Sequence, residues 1–562
     1  LRQIKQEDLA FTESQTAADA LRDHAGVFVQ KSQMGGGSPV IRGFEASRVL
    51  LVVDGVRLNN AIYRSGHLQN AITIGNALLE RVEVVFGPGS LMYGSDAIGG
   101  VVHFRSKDPQ LHLGTSADRY RSNTNFYTRY ASANREKSAH ADVNYGRENW
   151  ASLTSITLTD YDDLRAGATR PDGYEHFGRR SFYVKRVNGQ DQVVENGTLN
   201  PGASFPENSD VQTGTAYSQL DFLQKVKFQP SKHFFSVFNF QLSTSTNVPR
   251  YDNLTELTGK EPQDLKWAEW YYGPQKRLLA SVKSRLSKPT RYFDRATLIA
   301  AFQHIGEDRY KRRLNNDWRN FDLTDVQVWS LTADFDKNLG RTGRHQLLYG
   351  LDLSYNRVRS EGGRLNLVDA AIDNRVLTRY PGGDNRTSAT AAYGNYRWSS
   401  SDSVLVLNAG LRYTYATLFS RFTADSIVIW PENYIAPGVS SNNGDLTWAT
   451  GLTLHLPRKW QVRALVSKAF RSPNLDDFSK IREQNGFVTI PNPALRPERT
   501  YSTELSVEKE FRMKNTTLRL NSTAYHTWLQ DFIVRRRFAL PDGTGTLMME
   551  GETLKTVAKV NA

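Results

Sequence analysis

Carboxylate and histidine side chains are the groups in this sequence that could support catalysis or bind a metal. Four carboxylates lie close together in the chain: Glu148, Asp160, Asp162 and Asp163. Their spacing is not that of an EF-hand loop, so an acidic solvated loop is favoured over a calcium site. The eleven histidines, from His24 to His526, have no metal-ligand spacing. Because GxSxG, HExxH and phosphate-binding GxxxxGK[ST] motifs are also absent, we expect no enzyme, no metal site and no bound cofactor.

The composition fits a β-rich protein and leaves open whether it is soluble or lies in a membrane. The 562 residues include no cysteine and no apolar run of about 18 residues, which excludes disulfides and a transmembrane helix. The mean hydropathy of −0.52 and the aromatic content of 11% fit either a large soluble β-protein or a membrane barrel, in which alternate residues face lipid. The net charge of +13 is spread along the chain, so nucleic acid is not expected as a partner. The polar start at Leu1 is not a signal peptide, which indicates a mature or trimmed chain.

The first 115 residues predict a small α+β domain. Residues 14–29 have a helical rhythm, and apolar strands are predicted at 49–53, 82–86 and 100–106. Glycine is dense between these elements, as expected of tight turns and close backbone contacts. The pair Asp54-Gly55 is a typical hairpin turn.

Residues 116–562 predict a transmembrane antiparallel β-barrel. Apolar and polar residues alternate in long segments such as 405–413, as in a strand with one lipid-facing side. Short turns alternate with long connections, which is the sidedness of an outer-membrane barrel. The long connections are predicted at 161–214, 244–270, 357–387, 418–445 and 471–500. We count about fifteen strands, an odd number, and therefore expect that the final strands of the barrel are missing from this chain.

Ordered motifs in both regions resemble one family, the TonB-dependent outer-membrane receptors. In the first region they are PVIRGF (39–44), RVLLVVDG (48–55), LERVEVVFGP (79–88) and LMYGSDAIGG (91–100). In the second they are FRSP (470–473) and NPALRPE (492–498). NVPRY (247–251) and WYYGPQ (270–275) are similar to receptors of the Bacteroidetes branch.

The resemblance implies a 22-stranded barrel with the amino-terminal domain as a plug in its lumen. It implies import of a scarce nutrient, such as an iron chelate (siderophore or haem) or cobalamin, with the plug as the gate. The implied partners are the TonB–ExbB–ExbD complex, lipid and lipopolysaccharide, and a surface lipoprotein or envelope assembly. No TonB-binding segment is recognisable before Gln6. The alternatives are a non-transporting subunit, client or signalling receptor of an outer-membrane assembly, and a passive porin.

Charged residues of the plug lie in segments otherwise built for burial and therefore need partners. These residues are Arg42, Arg81 and Glu83. The resemblance implies that plug arginines pair with barrel glutamates, for which Glu498 and Glu504 are the candidates.

Ligand contacts are predicted in the polar plug segment 57–70 and in the FRSP motif. The candidates are Asn60, Tyr63, Arg64, His67 and Arg471. Haem receptors of this family can place an iron-ligating histidine between the two barrel boxes. Residues 474–491 contain no histidine, so haem stays one option beside siderophores and cobalamin.

Overall fold

The computed structural model describes the chain except for several short segments. These are residues 1, 13, 23, 25, 65–69, 113–119, 341, 377, 423–433, 435–437, 485, 514–515 and 550–551. Among the residues described, no helix has the length and apolar character needed to span a membrane. The predicted boundary between residues 115 and 116 falls inside 113–119, so it stays a prediction.

The amino-terminal region forms a five-stranded sheet in the order β1-β7-β8-β5-β6, beside a smaller sheet β2-β3-β4. Its elements are β1 (Arg2–Lys5), α1 (Gln6–Thr12), β2 (Val27–Gln30), β3 (Ser38–Ile41), β4 (Phe44–Glu45), β5 (Val49–Val53), β6 (Val56–Arg57), β7 (Leu79–Phe86), α2 (Ser90–Tyr93) and β8 (Gly100–Ser106). Single 3-10 turns lie at Asp19–Leu21, Ala46–Arg48, Asn70–Thr73 and Asn76–Leu78. The three predicted plug strands are all present, and Asp54-Gly55 joins β5 to β6 with φ of 52° and 94°.

The helix predicted over residues 14–29 is wrong. A single 3-10 turn at Asp19–Leu21 and the strand β2 occupy that segment. The Thr16 backbone N–H donates to the Asp19 carboxylate, and the Asp19 N–H donates to the Thr16 hydroxyl, both at 3.2 Å. Such side-chain bonds to nearby backbone compete with a continuing helix. The apolar residues Ala18 and Leu21 are still buried in the plug core. Their spacing therefore indicated correctly that they are buried, although they do not form a long helix.

Close packing inside the plug depends on Gly99 and Gly100. A Cβ atom at Gly99 would lie 2.3 Å from the Cβ of Phe44, and one at Gly100 would lie 2.5 Å from the carbonyl oxygen of Val85. Both distances are too short for any side chain, so these glycines allow β8 to approach its neighbours, as predicted.

Long antiparallel strands follow from Arg121 onward. The first part contains β9 (Arg121–Ala131), β10 (Glu136–Gly146), β11 (Trp150–Tyr161), β12 (Leu164–Arg165), β13 (Phe182–Val187), β14 (Gln190–Glu195), β15 (Val211–Gln212), β16 (Tyr217–Ser231), β17 (Phe234–Ser245), β18 (Val248–Pro249), α3 (Tyr251–Leu254), β19 (Trp267–Tyr272), β20 (Lys276–Leu286), β21 (Arg295–Gly306), β22 (Arg309–Arg313) and β23 (Trp318–Leu339). The second part contains β24 (His345–Asn366), β25 (Ile372–Asp373), β26 (Asn385–Ser399), β27 (Leu405–Ser420), β28 (Val439–Leu456), a 3-10 turn at Pro457–Lys459, β29 (Trp460–Arg471), α4 (Leu475–Phe478), β30 (Arg482–Gln484), β31 (Phe487–Ile490), β32 (Glu498–Arg512), β33 (Thr517–Gln530), β34 (Ile533–Arg537), β35 (Thr546–Met549) and β36 (Glu552–Asn561).

Fifteen of the described strands have 11 or more residues and build the wall of a barrel around the plug. They are β9, β10, β11, β16, β17, β20, β21, β23, β24, β26, β27, β28, β29, β32 and β33. Residues Leu405 to Ser420 of β27 pair one by one with Leu454 to Val439 of β28, and the register does not shift along this pair of strands. The predicted long connection at 357–387 is shorter than expected, since β24 continues to Asn366 and β26 begins at Asn385.

The two faces of the wall differ as the alternation predicts. In β27, Leu411 and Tyr413 point outward and are 57% and 52% exposed, whereas Arg412 and Thr414 point inward and are buried. Arg412 donates to Asp352 of β24 at 2.7 Å on the inner side. The apolar outer face therefore meets lipid and the polar inner face meets the plug.

The outer connections carry small sheets of their own. β13 pairs with β14, and β12 pairs with β15. A larger sheet unites β30, β31, β36, β34 and β35, and it covers an apolar cluster that includes Val488, Ile490 and Leu554. The ends of the wall strands are thus topped by folded structure on the side of the long connections.

Candidate functional site

The plug is joined to the barrel wall by a buried ionic chain centred on Glu498. Arg48, in the 3-10 turn before β5, binds this carboxylate in a bidentate manner, with Nη2–Oε1 at 2.6 Å and Nε–Oε2 at 3.1 Å. Arg471 of β29 donates Nε to Oε2 of the same carboxylate at 2.6 Å. Because these groups are buried together, removal of Glu498 would leave Arg48 without its acidic partner.

A second contact of the plug with the wall lies beside the first. Arg42 Nη1 is 2.7 Å from Glu504 Oε2, and its guanidinium carbon lies 4.3 Å from the ring centre of Tyr525. The structure thus brings Arg42 together with Glu504.

Arg81 and Glu83 correct the prediction of plug–barrel pairing. Arg81 Nε binds Glu83 Oε1 at 2.8 Å, and Arg81 Nη1 lies 3.2 Å from Glu80. Glu83 also accepts from Arg105 at 3.3 Å. In the described part of the chain these groups pair within the plug and not with a barrel glutamate. Arg81 and Glu83 lie two residues apart on β7 and therefore point to the same face, where Arg105 of β8 also reaches Glu83.

A further contact of the plug with the wall involves Asp54, in the turn between β5 and β6. Ser106 donates its backbone N–H to Asp54 at 2.9 Å, and the wall residue Lys225 lies 3.3 Å from the carboxylate. Burial alone would raise the pKa of Asp54, but Lys225 and the hydrogen bonds from Ser106 outweigh it and lower the pKa. Lys107, just after β8, pairs with Asp142 of β10 at 2.6 Å. The plug is therefore fixed to wall strands β16 and β10 as well as to β32.

The outward apex of the plug is packed rather than open. Asn60, Tyr63 and Arg64 are 7%, 2% and 7% exposed. Arg64 Nη1 binds Glu307, after β21, at 2.5 Å, and Nη2 reaches the Tyr272 hydroxyl at 3.4 Å. Burial would lower the pKa of Arg64, but the charge of Glu307 holds it well above its usual range. His67, the fourth predicted ligand contact in this segment, lies outside the described residues.

The FRSP motif and α4 cover this apex. The Leu475 N–H donates to the Ala61 carbonyl at 2.9 Å, and the Asn474 amide donates to the Tyr63 carbonyl. Asn474 also caps α4 by accepting from the Asp477 N–H at 3.1 Å. Asp477 in turn binds Arg471 at 2.5 Å, which ties the cap to the ionic chain at Glu498. Arg471, predicted as a ligand contact, is thus engaged by protein groups.

Asp476 connects α4 to two other outer segments. It accepts from Arg379 at 2.8 Å and from the Tyr380 hydroxyl at 3.1 Å, and Lys559 of β36 lies 3.5 Å away. Burial would raise the pKa of Asp476, but the surrounding cations lower it well below its usual range. The sequence analysis missed Arg48, Asp476 and Glu307. The adjacent acids at 476–477, directly after FRSPN, were the available signal.

A polar cavity of about 460 Å³ lies between the plug and the wall. Its lining includes Arg57, Asp96, His103, Lys283, Asp334 and Asn474. Burial, and then the neighbouring charge of Arg105, lowers the pKa of His103 to about 3. His103 therefore stays neutral and accepts from the Gly55 N–H at 3.0 Å. No group of three or more possible metal ligands occurs in the portion of the chain that is described.

These features define a class of protein: an outer-membrane barrel whose lumen is closed by its own amino-terminal plug. The TonB dependent receptor-like β-barrel family matches residues 234–557, and the TonB-dependent receptor plug domain family matches residues 1–101. Because the barrel match covers more than half of the chain, the protein belongs to the TonB-dependent receptor family. Proteins of this family are receptors and transporters of the Gram-negative outer membrane, not enzymes.

Individual relatives agree with this assignment. The vitamin B12 transporter BtuB of Vibrio vulnificus is 38% identical over 192 residues, which are 30% of this chain and 30% of the relative. The hemin receptor of Yersinia pestis is 25% identical over 548 residues, covering 93% of this chain and 66% of the relative. Among solved structures, the copper transporter OprC superposes with a TM-score of 0.72 at 14% identity, covering 100% of this chain and 75% of OprC. The chain spans at most about two thirds of the length of these two sequence relatives.

Proposed function

We propose that this protein imports a scarce nutrient across the outer membrane, with the plug as a gate that opens only when energy is supplied. The nutrient is an iron chelate (siderophore or haem) or cobalamin. The similarity to a hemin receptor and to a vitamin B12 transporter supports this range of ligands. The TonB–ExbB–ExbD complex would supply the energy by pulling on the plug.

The observation that carries this proposal is the way the plug is held. Ion pairs join the plug to Glu498 and Glu504 of β32, to Lys225 of β16 and to Asp142 of β10. These charged contacts lie on several wall strands and together oppose release of the plug; the most buried of them, Arg48 with Glu498, is only 10% and 2% exposed. A passive pore has no use for such a stopper.

The ligand would reach the plug through the outer cap. The apex residues Asn60, Tyr63, Arg64 and His67, together with Arg471, are proposed to respond to the ligand. Arg64 and Arg471 are bound to Glu307 and Asp477, which belong to outer segments. A ligand that moves these segments would therefore change the contacts of the plug.

We further propose that the wall of the intact protein is of the 22-stranded type and continues beyond the fifteen strands described. An odd number of antiparallel strands leaves the first and last strands running in the same direction, whereas single-chain bacterial barrels have an even number. Side chains of β9 and β33 are exposed on both faces along most of their length. The same proposal includes the division of the chain into residues 1–115 and 116–562. It also includes the similarity of residues 247–251 and 270–275 to receptors of the Bacteroidetes branch. Contacts with lipopolysaccharide and with a surface lipoprotein are proposed as well.

The test is nutrient-limited growth of a Gram-negative host that lacks its own haem, siderophore and cobalamin receptors. The gene for the intact protein is expressed in matched strains with and without tonB. Growth on one of haemin, a ferric siderophore or cyanocobalamin, only in the strain with tonB, is expected. Growth that is equal in both strains would indicate a passive pore. Absence of growth on every nutrient, with surface expression verified, would favour a non-transporting subunit or signalling receptor.

A further inference from the structure

Two sequence motifs to which the proposed function assigns no role, NVPRY (247–251) and WYYGPQ (270–275), meet in the structure. Val248 of the first motif lies opposite Tyr272 of the second in the pairing of β18 with β19. Both side chains are buried. The paired strands form the base of residues 246–266, here called the second outer connection.

The hydroxyl of Tyr272 joins this connection to the plug. It accepts from Arg250 Nη1 at 3.1 Å and from Arg64 Nη2 at 3.4 Å. Arg250 belongs to NVPRY, whereas Arg64 belongs to the plug apex. Arg250 Nε also binds Asp252 of α3 at 3.0 Å, so a short path of contacts runs from α3 through Tyr272 to the plug.

Three cations surround the ring of Tyr272. The guanidinium carbons of Arg64, Arg250 and Arg309 lie 5.9, 5.7 and 5.9 Å from its centre. Burial would raise the pKa of Tyr272, but the charges of these three arginines outweigh burial and lower it. Because hydrogen bonds from charged donors are stronger than neutral ones, the hydroxyl links two elements that are far apart in the chain.

The second outer connection also contacts the plug loop 31–37, between β2 and β3. The Asp252 N–H donates to the Ser32 carbonyl of this loop at 3.3 Å. Met34 of the loop packs with Val248 in one buried apolar cluster. A backbone hydrogen bond and an apolar contact therefore form a second path from α3 to the plug.

Gly35 allows this plug loop to approach the connection closely. A Cβ atom at Gly35 would lie 2.7 Å from Cγ1 of Val248 and 3.0 Å from the ring of Tyr217. The contact is thus packed too tightly for a side chain at this position. Because close-packed groups cannot move independently, displacement of the connection displaces the plug loop as well.

The first outer connection reaches α3 through Arg180, which lies between β12 and β13. Arg180 is 5% exposed and donates Nη2 to the Leu254 carbonyl at 3.4 Å. Its guanidinium carbon lies 5.8 Å from the ring centre of Tyr251. Movement of either of the first two outer connections is therefore passed to α3.

We propose that Tyr272 is a positioning residue that transmits movement of α3 to Arg64 of the plug, while the Ser32 contact transmits it to the plug loop. This inference rests on the proposed function, since it names the outer element whose movement on nutrient binding reaches the gate. Tyr272 is 2% exposed, so it acts beneath the connection and does not contact the nutrient.

The experiment measures hydrogen exchange of plug amides in the intact protein in detergent. The variants are Tyr272→Phe, which keeps the ring and removes the hydroxyl, and Arg250→Gln, which removes the donor on the outer side. The matched control is Tyr271→Phe. Tyr271 belongs to the same motif, stacks on Tyr310 at 5.1 Å, and makes no side-chain hydrogen bond to any of the described residues.

The first measurement uses no added nutrient. Tyr272→Phe and Arg250→Gln should each speed exchange of the Ile62 and Tyr63 amides by about three- to tenfold, because each breaks the link at the Tyr272 hydroxyl. Tyr271→Phe should leave this exchange unchanged. The double variant should exchange about as fast as Tyr272→Phe alone, since both changes break one path.

The second measurement adds haemin, ferric enterobactin or cyanocobalamin as the probe. In the wild type, a probe that binds should change the exchange of plug amides 32–35 and 62–63. Tyr272→Phe should lose about half or more of the change at 62–63 and keep the change at 32–35, while its Kd for the probe stays within about twofold. Loss of a residue that only stabilises the fold would not separate the two plug segments in this way.

Equal exchange of the Ile62 and Tyr63 amides in Tyr272→Phe and in Tyr271→Phe would overturn the inference. Fully additive effects of Tyr272→Phe and Arg250→Gln would overturn it too, because they would mark two independent losses of stability. A large loss of probe affinity in Tyr272→Phe would place this residue in the ligand site instead. The outcome is separable from the proposed function: growth that does not require tonB would remove import and leave the exchange result standing, whereas tonB-dependent growth with unchanged exchange would do the reverse.

Discussion

Arg471 and Glu498 lie directly opposite each other in the pairing of β29 with β32, and their side chains meet at 2.6 Å. One residue belongs to the FRSP motif and the other to NPALRPE. The plug residue Arg48 completes the contact at 2.6 Å from the same carboxylate. The two barrel motifs are thus joined to each other and to the plug at one carboxylate, which explains physically why both residue types are needed there.

Loss of the two plug arginines that reach the wall should loosen the plug. Arg42→Ala combined with Arg48→Ala leaves Glu504 without its plug partner and Glu498 with one cation in place of two. Loss of the buried contact at Glu498 should cost about 3–5 kcal/mol, and loss of the partly exposed contact at Glu504 should cost less. We expect cells carrying the intact protein with this pair of changes to become sensitive to large antibiotics such as vancomycin. Arg81→Ala is the control, because Arg81 pairs within the plug; equal sensitivity of control and variant would refute the role of the wall contacts.

His103 should make the plug less stable in mild acid. Its pKa is lowered from 6.5 to about 3 by burial and by Arg105, so the folded plug keeps the ring neutral while the unfolded chain protonates it. The stabilisation is therefore complete above pH 6.5 and is lost as the pH falls from there towards 3. The expected loss is on the order of 2 kcal/mol between about pH 7.5 and pH 5.

Hydrogen exchange of the plug amides monitors thermal unfolding of the plug at several pH values across this range. His103→Gln keeps an acceptor for the Gly55 N–H but cannot titrate, so its stability should depend less on pH. His176→Gln, in an exposed outer loop, should behave as the wild type does. Identical pH profiles for His103→Gln and the wild type would contradict the assignment.

A single methyl group at Gly99 should disturb the plug. Its Cβ atom would lie 2.3 Å from the Cβ of Phe44, so Gly99→Ala forces β8 and β4 apart. Overpacking of this kind costs about 1–3 kcal/mol. Differential scanning calorimetry should show a lower plug transition for Gly99→Ala and no change for Gly167→Ala, where the added Cβ atom meets nothing within 4 Å. An unchanged transition in Gly99→Ala would mean that β8 and β4 are not packed this closely.

A positive charge on the outer face of β27 should hinder membrane insertion. Leu411 is 57% exposed on the lipid side, and Leu411→Lys places an ammonium group in the apolar belt. Near the midplane of the bilayer such a change costs about 2–4 kcal/mol in a barrel. We expect less heat-modifiable, folded protein in outer-membrane fractions by electrophoresis. Leu199→Lys, an exposed leucine of an outer loop, is the control; equal folded fractions for both would place residue 411 away from lipid.

Local patterns of residue types in the amino-acid sequence were sufficient to predict the architecture. Alternation with a period of two in segments such as 405–413 predicts strands and their lipid face, because successive side chains of a strand point to opposite sides. The turn Asp54-Gly55 and the close approach at Gly99 follow from backbone sterics, which are local as well. The plug-and-barrel arrangement and the count of about fifteen long strands were therefore predictable, and the structure and the family matches confirm that arrangement.

Tertiary structure alone decided the partners of the charges. Sequence analysis named Arg81 as a residue that would reach the wall. The wall contact belongs to Arg48 instead, because Glu83 on the same strand lies within reach of Arg81. The burial of Tyr63 and Arg64 depends on Glu307 and on α4, which are distant along the chain. Charge interactions act through space and not along the sequence, so residue spacing cannot reveal which groups will meet.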